Sequence, residues 1–198
     1  MASTAAPYGL RAVNELGGLP YAGSTRQFLI NPNGSTSNIY NGTVVAVDTN
    51  GYLFPVTNVG SAADPFPAGT VGVFTGCSYV NAQGQQIWSQ YYPTGTTGVV
   101  TADVIDDDRA VFQVQSAGSL TQAALGANVA LSAAQTGSAT TGNSTTAVSA
   151  TPATTSGIAF RIIGFVNKQG FSTVGDAYTD VLVKFNPAAH SYSNPTGI

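Results

Sequence analysis

His190 is the sole histidine of the chain, and a Ser-His-Asp relay would need its imidazole held rigidly beside a nucleophile. It lies instead in the Pro- and Gly-punctuated stretch 186–198, where a polar contact is the expected role. Cys77 sits inside the apolar run Val71–Val80, next to Phe74 and Tyr79. A thiol buried in such surroundings has a raised pKa and packs as a small hydrophobe rather than acting as a nucleophile. Glycoside hydrolysis needs two carboxylates facing across a cleft. Glu15 is the sole glutamate, and Asp48, Asp64, Asp103, Asp176 and Asp180 show no paired spacing. The triplet Asp106-Asp107-Asp108 has the hard oxygen ligands that Ca²⁺ prefers, but it matches no EF-hand spacing, and Arg109 follows as an ion partner. A solvated turn is the better reading. With no phosphate loop, metal cluster or dinucleotide fingerprint, the expectation is no catalytic residue, no cofactor, no metal and no enzyme activity.

What remains is side chains suited to contact. Trp88, Tyr91 and Tyr92 form the densest aromatic group, suited to stacking a sugar or anchoring an interface. Strand alternation puts Ile87, Ser89 and Tyr91 on one face and leaves Trp88 toward a core. The remaining interface candidates are Pro7, Tyr8, Leu10 and Arg11 near the N-terminus, and His190 and Tyr192 near the C-terminus. Three Asn-x-Ser/Thr sequons, at Asn33, Asn41 and Asn143, are what Asn- and Thr-rich sequence yields by chance.

The elements that must carry these residues are short strands. Residues 1–25 read as an extended arm, because Pro7, Gly9, Gly17, Gly18, Pro20 and Gly23 break helices and no strand-length alternation appears. A β domain is expected over 26–185. Its hairpins are expected around Thr49-Asn50-Gly51, Ala82-Gln83-Gly84 and Asp106-Asp107-Asp108. One helical turn is expected where Ser119-Leu120-Thr121-Gln122 has the form of a capping box. Residues 133–157 are nearly all Ala, Thr, Ser and Gly. Such composition cannot bury a core of its own, so the segment is either a mobile loop or an arm lying flat on a neighbour. Residues 186–198 read as a second extended tail. The fold class is all-β, an antiparallel barrel or sandwich with extended N- and C-terminal arms and at most one short helix.

Composition narrows the partners. Only 8% of the 198 residues are charged, against about 25% in an ordinary domain. A surface dressed in Ser, Thr, Asn and Gln forms hydrogen bonds without the cost of burying ions, which suits a surface that a neighbour will cover. Six scattered cations, Arg11, Arg26, Arg109, Arg161, Lys168 and Lys184, provide no stripe for nucleic acid. No run approaches the roughly 20 apolar residues of a membrane span. The start, Met1 to Pro7, lacks the pattern of a signal peptide, so synthesis in a cytoplasm is expected.

Five stretches in order carry a resemblance. They are Ala6-Pro7-Tyr8-Gly9-Leu10-Arg11, Gly72 to Tyr79, Trp88 to Pro93, Gln113 to Gly126 with Ala127-Asn128, and Asn186…His190…Thr196-Gly197. Together they resemble a group of tailed-phage head structural proteins, the capsid decoration or cement proteins. The resemblance implies a small β protein added to the outside of an expanded head, where it bridges neighbouring major capsid subunits, usually as a homotrimer. It departs from the pattern in 133–157. The implied location is the capsid exterior of a virion, after synthesis in a bacterial host. The other expectation, carried by the aromatic group, is a carbohydrate- or host-binding module of a virion tail or fibre.

Overall fold

Runs of Val, Ile, Tyr, Phe and Thr between turn residues become eleven short strands in the computed structural model, which describes residues 3–198. Met1 and Ala2 of the expected arm lie outside the described residues. The strands are β1 (Arg11–Glu15), β2 (Arg26–Ile30), β3 (Val44–Val47), β4 (Leu53–Pro55), β5 (Thr70–Val80) and β6 (Gln86–Ser89). They continue as β7 (Val100–Ile105), β8 (Ala110–Gln115), β9 (Asn128–Val129), β10 (Phe160–Phe165) and β11 (Asp180–Phe185). The protein is all-β, with no α-helix among the described residues.

One sheet runs β1-β8-β11-β10-β9. The other runs β3-β4-β2-β7-β5-β6, and an extra β3–β5 pairing closes five of its strands into a ring. All pairings are antiparallel except β2 with β4, which meet in parallel at Ile30 and Leu53. The ring is a small barrel filled by Ile30, Val45, Leu53, Val71, Phe74, Cys77, Val100, Ala102 and Val104. Opposite faces of the same strands turn Val44, Ala46, Val73 and Ile105 toward the five-stranded sheet. There they join Phe112, Phe160, Val181 and Phe185 in a second core. Alternation serves two cores at once, and register shifts in β5 at Val71 and Thr75 let Val71, Phe74 and Cys77 share the barrel while Val73 faces the second core.

Two of the expected hairpins form, and by the same device. Asp48 Oδ1 accepts from the backbone N–H of Asn50 and Tyr52, both at 2.9 Å, and Asn81 Oδ1 accepts likewise from Gln83 and Gln85 at 3.0 and 2.9 Å. Gly51 and Gly84 then take φ of 83° and 78°, the left-handed step that closes each turn. Asn50 keeps a negative φ, so only the glycine of its Asn-Gly pair uses the left-handed region.

The third expected hairpin does not form. β7 pairs with β2 and β5, whereas β8 pairs with β1 and β11, so the acidic triplet carries the chain from one sheet to the other. Equal strand lengths flanking a turn fix nothing when each strand finds better partners elsewhere. The 1–25 stretch also differs from expectation, because Arg11–Glu15 adds to the five-stranded sheet as β1, its register interrupted between Ala12 and Asn14. The bulge breaks the alternation by which the strand would have been recognised. The expected helical turn is a single 3-10 turn, Gln122–Ala124. Ser119 does not cap it; its hydroxyl donates to the Gly175 carbonyl at 3.0 Å.

Segment 133–157 lies on the protein's own body. Val148 bridges to Ser116 and Leu131, and Asn143 to Asn41. Gln135 fastens it: its Oε1 accepts from Val44 N–H at 2.7 Å, and its Nε2 donates to the carbonyls of Val44 and Val56 at 3.0 and 2.8 Å. Val148 joins the second core and Ala147 is buried, while the other small side chains let backbone approach backbone, so the pairing is made largely of main-chain bonds.

Candidate interaction face

The turn at Asn81–Gln85 sets the geometry of the outer face of the barrel. Asn81 N–H donates to the Gln85 carbonyl at 2.8 Å, and from that bond the register of β5 and β6 follows: Val80 faces Gln86 and Ser78 faces Trp88. On its other side Ser78 faces Thr101 of β7, and Thr101 faces Leu29 of β2. Trp88, Ser78, Thr101 and Leu29 therefore form one row across four strands, and their partners at alternate positions fill the barrel. Along β5, Val80 lies two residues from Ser78 on the same side, and Val99 stands immediately before β7, two residues from Thr101. Trp88 is 62% exposed, Leu29 49%, Val80 56% and Val99 74%. Isolated exposed apolar residues are common, but four on one sheet face are a patch.

The surroundings carry little charge. No Asp, Glu, Lys or Arg occurs between Asp64 and Asp103. Asp103 lies in the next row, facing Gly76 on one side and Gln27 on the other, and Gln27 Nε2 donates to it at 3.4 Å. The indole of Trp88 leans back over Gly76. Ser78 and Thr101 lie between Trp88 and Leu29, and Gln86 lies beside Val80, so hydroxyl and amide groups are interspersed with the apolar side chains.

The sequence places Trp88 in a core; it lies on the open face instead. The alternation is as expected, but it is Ile87 that turns inward, because β6 hangs on the rim of the barrel rather than closing it. Tyr91 is half-buried and stacks on Tyr40, with centroids 5.8 Å apart. Tyr92 is fully buried, its hydroxyl donating to the Thr96 carbonyl at 2.8 Å and accepting from Ser35 N–H at 3.0 Å. The three aromatics thus share no face. Leu10 is buried in the second core, and Pro7 and Tyr8 are half-buried, with the Tyr8 hydroxyl donating to Asp180 at 3.2 Å. Arg11 is exposed, its guanidinium 5.0 Å from the centre of the Tyr8 ring. Leu29, Val80 and Val99 escaped the sequence reading. The turn at Asn81–Gln85 fixes the pairing that would have found Val80.

His190, for which a polar contact is expected, makes one from a buried position, 1% exposed. A second 3-10 turn, Pro187–Ala189, tucks it against Phe185, at 5.5 Å between ring centres. Its Nδ1 accepts from Tyr192 N–H at 3.3 Å, and its Nε2 is buried without a hydrogen-bond partner. Burial lowers its pKa, opposed by the charges of Asp108, Asp106 and Asp107 and by the Val71 backbone. Those carboxylates are already engaged. Arg26 pairs with Asp106 at 2.8 Å, the exposed Tyr192 hydroxyl donates to Asp106 at 2.8 Å, and Ser193 donates to Asp108 at 2.7 Å. Arg109, the ion partner expected from sequence, donates instead to the Leu16 carbonyl at 3.2 Å. Its backbone N–H, not its guanidinium, reaches Asp107, at 2.8 Å. Both terminal segments are thereby tied to their own chain rather than left free to reach another.

The remaining reactive groups are similarly placed. Cys77 is buried, and desolvation, helped by Asp103, pushes its thiol up to about 12. Asp180 lines a recess of about 430 Å³ with Tyr8, Gln115 and Phe171, and burial raises its pKa. No second carboxylate lines that recess, so it lacks the pair that acid–base hydrolysis requires. Among the described residues, no three His, Cys, Asp or Glu side chains converge as a metal would need. Three comparisons of the chain, with protein-family models, with curated proteins and with solved structures, found no match.

Proposed function

We propose that the chain is a capsid decoration protein. In this reading it docks on the outside of an expanded phage head, and the face bearing Trp88, Leu29, Val80 and Val99 lies against the major capsid subunits. The observation that carries the reading is that face: exposed, apolar and free of cations, on a barrel whose rigidity comes from closure. Its four apolar residues offer on the order of 400 Å² of exposed surface, comparable to the largest patch of an ordinary monomer, which is often functional. The ordered resemblance of five stretches points to the partner. With the described terminal segments bonded to their own chain, bridging comes from a rigid body spanning neighbouring subunits rather than from trailing arms. Several contacts on one lattice add through high effective concentration. Binding that requires the expanded lattice stabilises it by mass action.

The test is to add purified protein to expanded, undecorated heads of the phage that encodes it. Saturable binding with raised heat resistance supports the role, and Trp88→Ser, with its fold intact, abolishes both. Heads that bind none, or that survive heat equally with and without the protein, sink the proposal.

A second reading, a carbohydrate- or host-binding module, is favoured by one observation: the Trp88 ring has one side over Gly76 and the other open, as sugar stacking requires. Glycan-array binding that Trp88→Ala abolishes, without loss of folding, would select it over the decoration role.

A further inference from the structure

β6 is the last strand of its sheet, and its outer edge is open. In an antiparallel ladder, pairs that exchange hydrogen bonds alternate with pairs whose N–H and C=O groups point away from each other. The Asn81–Gln85 bond makes Tyr79–Ile87 and Cys77–Ser89 the bonded pairs. The N–H and C=O groups of Gln86 and Trp88 therefore point off the sheet, two donors and two acceptors. Among the described residues none of the four has a partner outside the strand. Edge strands are guarded by shortness, a charged side chain, a proline or a bulge, and of these β6 has only its length of four residues. Gln86-Ile87-Trp88-Ser89 carries no charge, proline or bulge, and its register with β5 is unbroken. The Trp88 ring, folded back over Gly76, does not obstruct the edge.

We propose that this edge pairs with β6 of a second copy of the same chain. Charge chooses the occupant. A two-fold interface sets each residue near its own image, so any net charge there repels itself. The stretch that builds β5, β6 and their turn carries no charged residue at all from Pro65 to Ala102. In the register centred on Ile87, Gln86 of each copy faces Trp88 of the other, and those two pairs exchange four main-chain hydrogen bonds. The two Ile87 side chains meet on the opposite face, at the closer spacing of a non-bonded pair. The outer faces of both copies stay on one side, doubling the apolar field. This two-fold pairing departs from the trimer that the family resemblance implies.

Sedimentation velocity on the intact chain across a range of concentrations tests the pairing. A mass twice 20.1 kDa is expected. Gln86→Pro removes an N–H that faces outward and no bond to β5, so it weakens dimerisation by on the order of tenfold or more. Gln86→Ala keeps the backbone and keeps the dimer. Should the proline variant not fold, Gln86→Lys sets two cations near the axis and gives a dimer that weakens as salt is lowered. A wild-type mass of one or three chains at every concentration overturns the proposal, as does a dimer that neither Gln86→Pro nor Gln86→Lys weakens. No capsid is present in this experiment, so its outcome is independent of head binding.

Discussion

The indole of Trp88 lies over Gly76 so closely that a Cβ built on Gly76 would come within 2.5 Å of the ring. Gly76 faces Asp103 on β7, one row away from the row containing Ser78 and Trp88. The missing side chain is thus a seat that fixes how the one tryptophan presents itself.

Gly76→Ala should unseat the ring. Its φ is not in the left-handed region, but the added Cβ meets both the Trp88 ring and the Ser89 carbonyl, the latter at 3.0 Å, so β6 must give as well as the ring, and the cost in stability should be about 1–3 kcal/mol. Fluorescence should report the change, with emission moving to longer wavelength and becoming easier to quench by acrylamide. Unchanged emission with unchanged quenching would show that the ring does not rest there.

Gln135→Ala removes three hydrogen bonds and leaves Val44 N–H and two carbonyls short of partners. A loss of about 1–3 kcal/mol is expected in urea unfolding, together with faster protease cleavage within 133–157. Equal cleavage of wild type and variant would mean that Gln135 does not hold the segment.

How much of this was legible in sequence depends on range. The two Asx-glycine turns are local chemistry, and Asp48-Thr49-Asn50-Gly51 and Asn81 to Gly84 declare themselves. The all-β class follows from strands punctuated by such turns. What could not be read is which strand pairs with which. Val100–Ile105 and Ala110–Gln115 look like a hairpin until their separate sheets are seen, because partner choice is settled by long-range packing. Trp88 failed for the same reason: its alternation was right, but whether a face meets a core or solvent depends on where its strand lies in the sheet. Segment 133–157 misled by composition. Apolar side chains are not the only route to order when backbone bonds and one glutamine can do the fastening.

His190 gives a pH dependence of known sign. Burial lowers its folded-state pKa below the ordinary value of 6.5, so the unfolded chain binds the proton more readily. Stability is therefore full above about pH 6.5 and falls as pH drops through that value toward the folded pKa. The facing groups are Asp106, Asp107 and Asp108, which moderate the fall, and the Val71 backbone. As His190 is the sole histidine, His190→Gln should flatten the melting temperature between about pH 7.5 and 5.5. A wild-type profile already flat in that window contradicts the buried placement.

Cys77 should resist alkylation. With the thiol raised to about 12 and fully buried, native protein at pH 8 should react with iodoacetamide only as fast as it unfolds, whereas protein in urea should react at once. Rapid labelling of the native chain would mean that the barrel opens at β5.

As a decoration protein, the chain would set its Trp88 face against a capsid. Expanded heads lacking decoration, mixed with purified wild-type or Trp88→Ser protein and then sedimented, test it most directly. The decoration role predicts that wild type co-sediments to a fixed copy number per head and delays heat disruption, while the folded Trp88→Ser variant stays in the supernatant. Wild type left in the supernatant, or Trp88→Ser binding as wild type does, would contradict it.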